Sequence, residues 1–143
     1  MTTIVEILSS RLILSILLTI VITQLVKLLV DKINNGGWNF RIIGTDGGMP
    51  SAHSSLVSSL TTAIYFETGF SYYFVIALVF ALIVMKDAAG MRRALQQHAK
   101  VLNRMLSAQK KRPDLKELLG HTPTQVVSGA LIGIIITLFI YSV

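Results

Sequence analysis

Two histidines, His53 and His121, each stand within three residues of a proline at what reads as the start of a helix. In the first segment, Gly44-Thr-Asp-Gly-Gly-Met-Pro-Ser-Ala-His-Ser-Ser, Gly47 and Gly48 reach backbone angles that other residues avoid. Pro50 suits the first turn of a helix, which Ser51, Ala52 and His53 would then fill. Unpaired N–H groups at a helix start bind anions, phosphate above all, and a hydroxyl and an imidazole in the same turn add a donor and a proton carrier. In the second segment, Gly120-His121-Thr-Pro-Thr-Gln125, Pro123 again suits a helix start, and one helical turn brings the Gln125 amide toward the His121 ring. Either histidine alone is compatible with a structural or solvated role. Two at one depth, each beside a helix N-terminus, point to a shared phosphate site.

The elements that must position them read as membrane helices. Of 143 residues, 52% are apolar and only 14% charged, where a soluble domain carries about a quarter. Mean hydropathy is +0.67. Apolar runs near 12–30 and 124–143 are each long enough to cross a bilayer core of about 30 Å. Two shorter runs, 51–66 and 72–86, are joined by Glu67-Thr-Gly-Phe-Ser, a turn that lets them pack antiparallel. Small residues from Ser54 to Thr62 suit close helix contact in lipid, as do Gly129 and Gly133. Short length leaves these two open to a second reading as buried helices of a soluble core. The expected fold is an all-α, polytopic membrane helix bundle, forming one domain of about four transmembrane helices plus an amphipathic cytoplasmic helix.

Charge orients it. Nine of the thirteen Lys and Arg residues lie between Lys86 and Lys116, and Lys32 and Arg41 fall in the 31–50 loop. By the positive-inside rule, loops 31–50 and 87–121 face the cytoplasm and both termini face outward. Spans two and four then start on the same side, which levels His53 with His121. Met91, Leu95, His98, Leu102 and Met105 recur at helical spacing, an amphipathic helix lying on the inner leaflet or capping the bundle. The net charge of +6 comes mainly from this segment. A basic segment between apolar spans fits anionic phospholipid and not nucleic acid. Cysteine is absent, which removes disulfides and thiolate metal sites. The N-terminus lacks a signal peptide's basic region and cleavage site, so the first span is expected to be retained. Lys27, in the last turns of span one, needs a partner or a route to the headgroups. Arg92, Arg93 and Lys116 are further phosphate-binding candidates, since Arg binds phosphate bidentately. Asp87, at the inner end of span three, is a candidate partner for an Arg or for His121.

Pro50-Ser-Ala-His53 resembles the P-S-G-H motif of the type-2 phosphatidic acid phosphatase and vanadium haloperoxidase superfamily. His121 to Gly133 is similar to that superfamily's H-x-x-x-D-V-x-x-G-x-x-x-G pattern, with Gln125 in place of Asp. With Asp87-Ala-Ala-Gly-Met-Arg-Arg and Asn103, nearly the whole chain looks like the divergent membrane branch called acid phosphatase/vanadium haloperoxidase-related. The resemblance implies that His121 attacks phosphorus to form phosphohistidine and that His53 protonates the leaving alcohol. Ser51 and the backbone around Gly48 and Ala52 would hold phosphate oxygens. Neither metal nor cofactor is called for. The implied substrate is a membrane lipid phosphate: phosphatidylglycerophosphate, phosphatidic acid or an isoprenoid diphosphate. Two motifs depart. K-x6-R-P is absent, Lys27 and Arg41 lying fourteen positions apart, and Leu115 stands where the S-R pair would precede the nucleophile. Lys27 and Arg93 are the preferred substitutes. With these losses, a non-catalytic module binding phosphate or anionic lipid is the rival reading. A homodimer that completes a bundle of four short spans is compatible with the sequence.

Overall fold

The computed structural model describes residues 10–44, 47–108 and 120–143. They form α1 (Arg11–Asn35), a 3-10 turn (Phe40–Ile42), α2 (Ala52–Thr68), α3 (Tyr72–Ala89), α4 (Met91–Ala108) and α5 (Pro123–Ser142). Local chemistry sets the boundaries. Ser10, Ser51, Ser71 and Thr122 cap their helices, each accepting a hydrogen bond from a first-turn N–H. Thr122 and Gln125 complete a reciprocal capping box on α5. α1 ends at Gly36, whose φ of 75° few other residues tolerate, with its N–H on the Lys32 carbonyl.

Pro123 opens α5 as expected, but Pro50 is not in the first turn of α2. Ser51 is the N-cap there, so its hydroxyl serves Ser54 N–H and the helix begins at Ala52. The basic run from Lys110 to Arg112 lies outside the described residues.

The bundle is inside out relative to a soluble protein. Many of its buried positions are polar: Ser15, Thr19, Thr23 and Lys27 on α1, Ser54, Ser55 and Ser59 on α2, Thr137 on α5, beside alanines and a few larger apolar residues such as Leu28, Val57 and Val126. Leucine, isoleucine and phenylalanine face outward along α1, α3 and α5. In water that surface would be ruinous; in lipid it has no reason to hide. Three stretches, Arg11–Asn35, Tyr72–Leu106 and Pro123–Ser142, are long and apolar enough to cross a membrane. α2, at 17 residues, falls just short of them. It nonetheless runs beside α5 from the Ser51 N–H on the Gln125 carbonyl (3.0 Å) to the stacked Phe66 and Tyr141 rings (4.8 Å). It therefore traverses the same thickness.

α2 is the hub. Thr23 and Thr19 of α1 donate to Ser55 (3.0 Å) and Ser59 (3.2 Å), and the Ser59 hydroxyl is hydrogen-bonded to that of Thr137 of α5 at 2.8 Å. Thr61 reaches the Ala77 carbonyl of α3. Each such bond in a membrane interior is worth about 0.6 kcal/mol. The α2–α5 contact is closer still. A Cβ on Gly129 would run into the Ser51 carbonyl oxygen, and one on Gly133 into that of Ser55. These neighbours are backbone and cannot swing aside.

Substituting Gly133→Val should therefore lower stability by about 1–3 kcal/mol or more. Gly37→Ala, where an added Cβ meets nothing within 4 Å, should stay within about 0.5 kcal/mol of the parent. Thermal unfolding of the detergent-solubilised variants, followed by circular dichroism, checks both.

Candidate phosphate site

Four helix ends meet at one end of the bundle. α1 and α3 finish there; α2 and α5 begin there. Two backbone hydrogen bonds tie the ends of α2, α3 and α5: Ser51 N–H to the Gln125 carbonyl (3.0 Å) and His121 N–H to the Ala88 carbonyl (3.2 Å). His121 is thereby clamped between α3 and α5, and it is only 2% exposed.

The ring's surroundings are assembled from distant parts of the chain. The Gln125 side chain and the Gly48 backbone lie within hydrogen-bonding reach of it, and the charges of Lys27 and His53 act on it. Its Nδ1 is buried without a hydrogen-bond partner. A buried polar atom left this way calls for a reason, such as a ligand or a catalytic role. Burial is the chief influence holding the imidazole below its ordinary pKa of 6.5; Lys27 and His53 push the same way, while Gln125 and Gly48 oppose them. The ring is therefore neutral at physiological pH, the form in which an imidazole has a lone pair to give.

Lys27 is 1% exposed, extreme for a lysine. Gly48 is what lets it lie there. At φ 91° a Cβ would stand 3.0 Å from the Lys27 Cε and 3.2 Å from the Ile42 Cδ1. Lys27, Gly48 and Gln125, all neighbours of the His121 ring, also line a cavity of about 120 Å³ with Val30, Asp31, Asn34, Ile42 and Met49. That volume admits a phosphoryl group and not an acyl chain. Among the described residues no three His, Asp or Glu side chains gather as a metal site would require.

The other sequence candidates sort by place. Ser51 is wholly buried, and its hydroxyl already accepts from Ser54 N–H and Ser54 Oγ. Ser55 N–H is bonded to the Ser51 carbonyl, so an anion at this helix start would meet the first turn through Ala52. Gln125 is engaged as well, its Oε1 taking the Thr122 N–H at 2.9 Å. Asp87 precedes the Ala88 carbonyl that anchors His121, at the site's edge. Arg92 and Arg93 start α4, but their side chains, like the whole of Lys116, lie outside the described residues.

Asp31 and Ile42 were not singled out from the sequence. Asp31 had a signal: it falls four residues after Lys27, on the same helix face. It bonds Asn35 Nδ2 through Oδ1 (2.7 Å), while its Oδ2 is buried without a partner. Ile42 had none, because its place depends on how residues 36–44 fold back over α1.

Because both Gly44 (φ 76°) and Gly48 require glycine's freedom, alanine at either strains the backbone by about 1–2 kcal/mol. Only at Gly48 does the new methyl also press on Lys27. Gly48→Ala should weaken oxyanion binding about ten-fold beyond Gly44→Ala, by the worth of one charge-assisted hydrogen bond. Calorimetric titration with vanadate reads the difference.

The chain is similar to the uncharacterized membrane protein YuiD of Bacillus subtilis (strain 168), at 34% identity over 93% of this chain and 95% of that protein. No solved structure matches it. The profile of the divergent PAP2 family matches residues 8–136, which takes in both histidines and all four converging helix ends. The protein, an integral membrane helix bundle, belongs to the divergent PAP2 family.

Proposed function

We propose that this protein is a metal-independent lipid phosphate phosphatase working through a phosphohistidine, with its site on the cytoplasmic side. The observation that carries this is the buried His121, neutral and with Nδ1 unpartnered, beside His53 and Lys27. In the first step a His121 ring nitrogen bonds to phosphorus as the ester P–O bond breaks, and His53 gives its proton to the leaving alkoxide. In the second, water attacks the phosphohistidine, its proton passes to His53, and inorganic phosphate leaves with His121 neutral again. Lys27 and the α2 start stabilise the equatorial oxygens, whose charge grows as the bond to the leaving group loosens.

The basic residues at this end, Lys32, Arg41, Lys86 and those of α4, support a cytoplasmic orientation. Glycerophospholipid headgroups are built on that face, which favours phosphatidylglycerophosphate over phosphatidic acid or an isoprenoid diphosphate. α4 supports contact with anionic phospholipid. Its Leu95, Val101, Leu102 and Met105 are exposed while Ala99 and Asn103 turn inward.

One observation favours a second reading, a non-catalytic protein binding phosphate or anionic lipid. Gln125 stands where the superfamily pattern has Asp, and its Oε1 is occupied in the capping box. An amide cannot offset the charge that the ring gains on phosphorylation.

Phosphate release from each candidate lipid, by the purified protein and by His121→Ala, decides between them. Loss of about 10³-fold or more with His121→Ala, without need of divalent metal, supports the enzyme. Equal release from both proteins removes the nucleophile. The acid limb of kcat/KM should lie below pH 6.5, since only neutral His121 attacks and its pKa is lowered. Gln125→Asp should move that limb upward by about one unit or more, because a carboxylate beside the ring favours imidazolium. A pH profile of both proteins checks the sign.

A further inference from the structure

Among the described residues three buried polar side-chain atoms have no hydrogen-bond partner. Two of them, His121 Nδ1 and Asp31 Oδ2, belong to residues at the phosphate end of the bundle, where a bound ligand can answer them. The third, Gln24 Oε1, lies elsewhere. Gln24 stands about 20 Å along α1 from Arg11 and about 16 Å from Asn35, near the middle of the first span. At that depth neither bulk water nor a lipid headgroup serves an amide, and an unpaired carbonyl in hydrocarbon is costly.

The polar column of α1 leaves Gln24 out. Ser15, Thr19, Thr23 and Lys27 form the buried stripe, and Thr19 and Thr23 bond α2 from it. Gln24 is turned about 100° round the helix from Thr23 and is partly exposed. Leu17, Ile20 and Val21 precede it by seven, four and three residues, so they share its side of α1, and they are 56, 39 and 54% exposed. One polar group thus sits at the edge of an otherwise apolar face with no element of the chain packed over it.

A carboxamide carries donor and acceptor on one planar group and is therefore complementary to itself. A two-fold axis along the membrane normal sets the same residue of two chains at the same depth, side by side. We propose that two copies of this chain associate in parallel along α1, each Gln24 amide N–H donating to the other copy's Gln24 Oε1, with Leu17, Ile20 and Val21 packing beside the pair. Residues 36–44 cover the inner part of α1 at Leu25, Leu28 and Leu29, so the seam runs from Gln24 toward the outer end. It leaves the phosphate end of each copy clear and does not depend on what that end does.

The chain has no cysteine, so a single introduced thiol reports a single position. The full-length Leu17→Cys variant in phosphatidylcholine vesicles, oxidised with copper phenanthroline, should form a disulfide-linked dimer well ahead of Leu138→Cys on α5 or Val79→Cys on α3, which are 46 and 51% exposed. By sedimentation equilibrium in detergent, Gln24→Leu should weaken association about ten-fold, the worth of an interhelical polar contact in lipid. Gln24→Asn, which keeps the amide, should associate more tightly than Gln24→Leu. Diluted to monomer, Gln24→Leu should unfold at or above the parent's midpoint. Equal cross-linking rates at 17, 79 and 138 mean random collision, and the proposal falls. It falls as well if Gln24→Leu associates like the parent, or if the parent stays monomeric. A lowered midpoint for monomeric Gln24→Leu would place the amide's partner within its own chain and overturn the pairing.

Discussion

The backbone contact between α2 and α5 fixes everything else. Ser51 faces Gly129, Ser55 faces Gly133 and Ser59 faces Thr137, a parallel pairing that advances four residues at a time on both helices. Parallel helices this close leave no room for side chains between them, so only glycine and hydroxyl-bearing residues fit the seam. The hydroxyls then find partners across it or on α1. That register is also what levels the two histidines. Slipping α5 by one turn would move His121 about 5.4 Å along the bundle, away from His53, Lys27 and the Gly48 turn together.

The same seam explains the bundle's inverted interior. Lipid offers large apolar side chains as good an environment as a core does, so nothing draws leucine inward. What lipid refuses is an unbonded hydroxyl or amide. The small polar residues thus gather at the centre and bond one another, and most leucines are left outside. Lys27 belongs to this stripe: Ser15, Thr19, Thr23 and Lys27 follow one another every four residues on α1, all but wholly buried. The lysine is the terminal member of a polar column. It meets the site because α1 ends where α2 and α5 begin.

Much of this was legible beforehand. Apolar runs gave the helices, Gly129 and Gly133 the close face, and loop charge put His53 and His121 at one end. The resemblance added roles to residues that spacing had already paired. Other features lay beyond sequence. Pro50 and Pro123 look alike in a string of letters, yet one precedes its cap and the other follows it, because only Thr122 has Gln125 positioned for a capping box. Ile42 enters the cavity, and Trp38 and Phe40 lie against the leucines of α1, only because residues 36–44 fold back on α1. No periodicity encodes a loop's return.

Gln125 changes the electrical logic of the site in the proposed chemistry. A carboxylate beside the nucleophilic ring would orient it and stabilise the cation formed on phosphorylation, but it would also hold more of the ring protonated near neutrality. Here burial, Lys27 and His53 bias the ring toward the neutral form, so nearly all of it can attack at physiological pH. The transition state is where the loss is felt, as the ring turns positive without a neighbouring anion. The charge that answers it arrives with the substrate. Phosphoryl oxygens beside Lys27 would bring negative charge to the ring and offset the field by which the buried lysine penalises an imidazolium. Bound phosphate thus lessens the penalty on a positive ring at the step in which the ring becomes positive.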